Sequence, residues 1–73
     1  MPKLPRISGK ECIGALQRMG FVQVRQKGSH VIMRRGEHGC VVPLHRELKV
    51  GTLAGLLRQA HVDAEDFIRA HQS

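Results

Sequence analysis

The hydrophobic period changes at Gly20, and that change limits what the chain can build. Upstream, Cys12, Ile13, Leu16 and Met19 recur at helical spacing. Ser8-Gly9-Lys10-Glu11 has the form of a capping box, in which the Ser8 hydroxyl accepts from the N–H three residues on and Glu11 reaches back. A helix is therefore predicted to start at Ser8, with Ile7 stapled to Cys12 across the cap and Gly20 supplying a left-handed stop. Downstream come three short strand-like runs, Phe21–Gln26, His30–Arg35 and Cys40–Leu44. The spacers Lys27-Gly28-Ser29 and Gly36-Glu37-His38-Gly39 read as hairpin loops.

Beyond His45, the residues Leu53, Leu56, Leu57 and Ala60 mark one apolar face of a second helix, for which Gly51 or Thr52 is the expected cap. Asp63 followed by Asp66 opens a last short helix whose apolar members are Ala64, Phe67 and Ile68. The order helix, three antiparallel strands, helix, short helix is an α+β arrangement. Helices cover one face of the sheet and leave the other open. With 73 residues there is one core to build, so residues 1–73 are expected to form a single domain with no separate catalytic unit.

Charge says what that open face meets. Before residue 61 there are eleven Lys and Arg against three acids, whereas the last thirteen residues carry one Arg against Asp63, Glu65 and Asp66. From Cys12 to Gly36 no acidic side chain occurs, while Arg18, Arg25, Lys27, Arg34 and Arg35 all fall there. Such one-sided segments attract phosphate, and a net charge of +6 on so short a chain points to a polyanionic partner. Aromatic stacking is not how it would be held. With Phe21 and Phe67 as the only aromatic rings of the Phe, Tyr and Trp class, readers that stack successive bases are disfavoured. No stretch reaches the roughly 20 apolar residues of a membrane span and the N-terminus lacks a signal-peptide core, so a cytosolic protein is expected. Cys12 and Cys40 have no C-x-x-C spacing and read as buried, reduced thiols.

Arg25-Gln26-Lys27-Gly28-Ser29-His30 combines a glycine turn, a hydroxyl, an imidazole and two cations. Alternation along the following strand sets His30, Ile32 and Arg34 against Val31 and Met33, so if the latter pair is core, His30 and Arg34 face outward together. No carboxylate lies within six residues of His30 on either side, and an imidazole in such a setting suits a general base. By itself the pattern also fits a plain hairpin in which Gly28 only makes the turn.

The same Gly28-Ser29-His30, placed after the Gly20-Phe21 helix stop and followed by Val42-Pro43-Leu44-His45-Arg46-Glu47-Leu48-Lys49-Val50-Gly51-Thr52-Leu53, resembles the HicA family of toxins over about residues 6–68. The resemblance implies a small ribonuclease of a type II toxin–antitoxin system that cleaves mRNA, a fold like the double-stranded RNA-binding domain, and a catalytic histidine in the G-S-H motif, here His30. It also implies a HicB-type antitoxin that binds the basic face and covers His30. Two positions depart from the family pattern: His61 stands where a glycine commonly closes the second helix, and Val50 where proline is frequent.

RNA cleavage without a metal requires the ribose 2′-OH to lose its proton as it attacks phosphorus, and cations where charge gathers on the phosphoryl oxygens. His30 fits the first need. Lys27, Arg25 and Arg34 are candidates for the second, and Ser29 with the Gly28 backbone can hold a phosphate oxygen in the turn. His45, just past the third strand, is either an alternative acid or a solvated loop residue. Arg46, Lys49 and the Gly51-Thr52 turn form a second donor-rich place at a helix N-terminus, suited to a phosphate or simply to capping. His38 is expected in a turn, and His61 and His71 near helix ends. His38, Cys40, His45 and Cys12 match no common zinc spacing, so no metal and no cofactor is expected. A non-catalytic double-stranded RNA-binding module is the alternative, though such modules lean on Lys-rich helix ends and only four lysines occur here.

Overall fold

The computed structural model describes residues 3–73, leaving Met1 and Pro2 outside the described residues. Six elements follow in chain order: α1 (Gly9–Arg18), β1 (Val22–Lys27), β2 (His30–Arg35), β3 (His38–Pro43), α2 (Val50–Gln59) and α3 (Ala64–Gln72). The strands form one antiparallel sheet in the order β1-β2-β3. This is the α+β arrangement read from the sequence.

Both ends of α1 are set by local chemistry. The Ser8 hydroxyl accepts from the Glu11 N–H at 3.0 Å and the Glu11 carboxylate accepts from the Ser8 N–H at 3.0 Å, closing the capping box. Those contacts, the Ser8 N–H first and the hydroxyl second, hold the Glu11 carboxyl below its ordinary range. Ile7 and Cys12 are both buried beside the cap, and Gly20 takes φ +96 just after the last turn. α3 opens as expected at Asp63, whose carboxylate accepts from the N–H groups of Glu65 and Asp66.

Three boundaries differ from expectation, the first being the opening hairpin, whose turn is only Gly28-Ser29 because Lys27 pairs with His30 and closes β1. The cap of α2 is Lys49, not Gly51 or Thr52, and no side chain hydrogen-bonds to this helix start. Lys49 already has extended backbone, φ −64 and ψ 143, so Val50 becomes the first helical residue, where a proline ring would also fit. The second hairpin loop is only Gly36-Glu37, which places His38 and Gly39 inside β3. His38 is thus a strand residue, not a turn residue. Its ring lies 4.2 Å, centre to centre, from that of His61, which ends α2 in the left-handed region at φ 57.

The buried side chains form one cluster that includes Leu16, Val31, Met33, Val42, Leu53, Leu57 and Phe67. Cys12 and Cys40 belong to it as free thiols, and burial pushes them up to about 12 and about 11. The helices gather on the face carrying Val31 and Met33, and α1 packs against α3 while α2 packs against β3. β1, an edge strand, is exposed throughout and carries an extra residue at Val24, where the pairing shifts between Gln23 and Arg25. Among the described residues no helix is long and apolar enough to cross a membrane.

Candidate active site

His30 opens β2 and is the cross-strand partner of Lys27, with Gly28 and Ser29 forming the two-residue turn between them. Gly28 has φ +59 in the first turn position, the conformation a primed hairpin turn demands and one that a side chain would strain. The turn is tied down twice. Gln26 Nε2 donates to the Gly28 carbonyl at 3.0 Å, and the Leu44 N–H donates to the Ser29 carbonyl at 2.7 Å. Paired strand residues share a face with Cα atoms roughly 5.5 Å apart, so the imidazole and the ammonium leave the sheet side by side. Both side chains are exposed, and neither makes a hydrogen bond or ion pair within the described residues.

The alternation along β2 is as expected, since Val31 and Met33 are buried while His30 and Arg34 are exposed. Sharing a face does not bring Arg34 to His30. Four residues of strand separate them by roughly 13 Å, and the Arg34 guanidinium turns toward the second hairpin, Nε to the Gly36 carbonyl at 3.5 Å. Arg25 lies nearer, opposite Ile32, two positions along the same face.

The remaining candidates lie where the segment after β3 meets the start of α1. Pro43 is the partner of His30, so His45 follows two residues beyond it, and the His45 carbonyl accepts from the Gly9 N–H at 2.9 Å. Ser8, Lys10, Leu44, His45 and Arg46 line a cavity of about 240 Å³ there. Lys49 caps α2 a few residues on, beside N–H groups without a side-chain partner. Among the described residues no three His, Cys, Asp or Glu side chains group as metal ligands.

A family model described as HicA toxin of bacterial toxin–antitoxin matches residues 9–62, from the first residue of α1 to the residue after the His61 turn. The chain belongs to the HicA toxin family. Comparison with the curated proteins found no match. As a HicA-family toxin it is one half of a toxin–antitoxin pair, and the matched segment contains the whole first hairpin with Lys27 and His30.

The HicA segment begins at a residue that sequence reasoning passed over. A Cβ at Gly9 would collide with the Pro43 carbonyl oxygen, so only glycine lets α1 dock on the end of β3 and donate to His45. Lys10 was also missed. Its signal was available: a lysine in the first helical turn faces the positive end of the helix dipole, a placement that stability alone disfavours. His61 takes φ 57, so it closes α2 in the left-handed region that ordinarily falls to glycine.

Proposed function

We propose that this HicA-family toxin is a metal-independent endoribonuclease that cleaves mRNA, with His30 as the general base, and that a HicB-type antitoxin neutralises it by covering the face that carries His30. The observation behind this reading is the Lys27–His30 pair, a free imidazole and a free ammonium held side by side across a braced two-residue turn. His30 takes the proton of a ribose 2′-OH while the 2′-oxygen bonds to the adjacent phosphorus. The bond from phosphorus to the 5′-oxygen breaks, leaving a 2′,3′-cyclic phosphate and a 5′-hydroxyl end. Lys27 meets the charge that grows on the phosphoryl oxygens, and the Ser29 hydroxyl with the Gly28 backbone can hold one of them. The departing oxygen needs a proton; His45 is the second imidazole at this end of the sheet. Arg25, Arg46 and Lys49, with the uncapped start of α2, hold flanking phosphates.

The test is direct. Purified protein incubated in EDTA with a long unstructured RNA should produce fragments ending in 2′,3′-cyclic phosphate and 5′-OH. Cleavage that stops on chelation and returns with added magnesium or zinc contradicts the mechanism; binding without cleavage favours an RNA-binding module.

A further inference from the structure

A groove of about 340 Å³ runs between α1 and β1, on the side of the first hairpin opposite His30. Three residues of one helix face, Lys10, Gly14 and Gln17, form one wall. The other wall is Gln23 and Gln26, which pair with the buried Met33 and Val31 and so point to the helix side of the sheet. Val31 and Leu44 give it an apolar floor.

Gly14, like Gly51 and Gly55 of α2, is a helical glycine that no steric contact explains, and of the three it alone lines this groove. Glycine is the poorest helix former after proline, yet a Cβ here would meet nothing closer than Arg18 Nη1 at 3.7 Å, an ordinary contact. Among the described residues no turn, packing contact or backbone strain calls for it. A glycine on that wall leaves room for something lying flat in the groove. Among the described residues the Gln17 and Gln23 amides have no hydrogen-bond partner, and Gln26 uses one N–H on Gly28, keeping its carbonyl oxygen and second N–H free.

We propose that this groove binds an unpaired nucleobase of the RNA close to the cut and sets the cleavage preference of the toxin. A base has an apolar face and a polar edge, and the groove offers the complement of both: the floor takes the face, glutamine amides bond the edge, and Lys10 takes a phosphate. Its size suits a planar group of that kind. Gln26 and Val31 each adjoin one member of the Lys27–His30 pair, so a strand rounding the tip of the hairpin reaches both places within a few nucleotides. This inference rests on the ribonuclease reading, and the experiment separates the two.

RNA with a randomised single-stranded window is cleaved by the full chain, by Gln23→Ala and by Gly14→Leu, and the new ends are sequenced. The unaltered chain should favour one base at a fixed offset from the cut, and each variant should reduce that preference about tenfold while melting as a folded protein. Gly14→Leu should also melt higher, since leucine is the better helix former. Unchanged preference in both variants overturns the proposal. So does loss of binding to the cognate antitoxin with RNA preference intact, which would make the groove a protein site. If the unaltered chain cuts no RNA, the ribonuclease reading fails; the groove is then read by selecting random RNA on the His30→Ala protein. A base preference lost in Gly14→Leu on that background sustains the groove, and no preference at all overturns it.

Discussion

The two hairpin turns carry the same sequence plan and almost the same backbone. Lys27-Gly28-Ser29-His30 and Arg35-Gly36-Glu37-His38 each read cation, glycine, polar residue, histidine, with the outer residues paired across the turn and the glycines at φ +59 and +61. They differ in what the protein does with the outer residues. The Arg35 guanidinium stands 4.7 Å from the centre of the Phe21 ring and donates to the Met19 carbonyl at 2.9 Å, and the His38 ring lies against His61. Among the described residues Lys27 and His30 have no such engagement. Cation-Gly-x-His is thus a way of making a tight hairpin, and under the proposed mechanism the chemistry falls to the copy whose imidazole and ammonium have no partner among the described residues.

Substitutions made in parallel at the two turns sharpen or break that contrast. The largest effect is expected in cells. Expression without antitoxin should arrest growth, His30→Ala should relieve the arrest, and His38→Ala should leave it in place; relief by both would remove the distinction. Next comes the cation. Lys27→Ala should lower single-turnover cleavage by about a hundredfold with little change in melting. Arg35→Ala should do the reverse, costing about 1 kcal/mol through the lost ring contact and hydrogen bond while turnover holds. Equal turnover in the two variants would take Lys27 out of the site.

The glycines should behave alike in stability. A Cβ at Gly28 or Gly36 meets nothing within 4 Å, so Gly28→Ala and Gly36→Ala each incur only the backbone penalty of a positive φ, about 1–2 kcal/mol, and should lower Tm by similar amounts. Cleavage should suffer in Gly28→Ala alone.

The smallest effect concerns the core between the turns. Burial raises Cys12 and Cys40 from an ordinary 9.0 to about 12 and about 11, so the folded state disfavours their thiolates. The stability tied to them is complete below about pH 9 and is lost as pH rises toward 11 and beyond. Urea midpoints compared at about pH 8 and about pH 10 should fall less in Cys40→Ala than in the unaltered chain, whatever that variant's own stability.

What the sequence made legible follows the range of the interactions. The capping box, the α3 cap, the Gly28 turn and the alternation of β2 are settled within a few residues, and each stands where local chemistry places it. The three-dimensional contacts were not legible. The loop between β2 and β3 shortens because Arg35 and His38 pair, and α2 starts at Lys49 although that residue offers no side-chain acceptor for a cap. Gly9 and Lys10 gain their importance from Pro43, Leu44 and His45, more than thirty residues away. Within the candidate site the turn could be read locally, but the separation of Arg34 from His30 needed the strand laid out in space.

If the proposed mechanism holds, an imidazole and an ammonium without partners among the described residues make the first turn chemically active while the second only folds. Single-turnover cleavage of one RNA in EDTA, measured at saturating protein for His30→Ala and His38→Ala together with their melting curves, tests it most directly. His30→Ala should show no detectable cleavage while the loss of an exposed side chain leaves Tm within a few degrees of the unaltered chain, and His38→Ala should cleave at close to the original rate. A folded His30→Ala protein that cuts at the original rate, or a folded His38→Ala protein that does not cut, would contradict it.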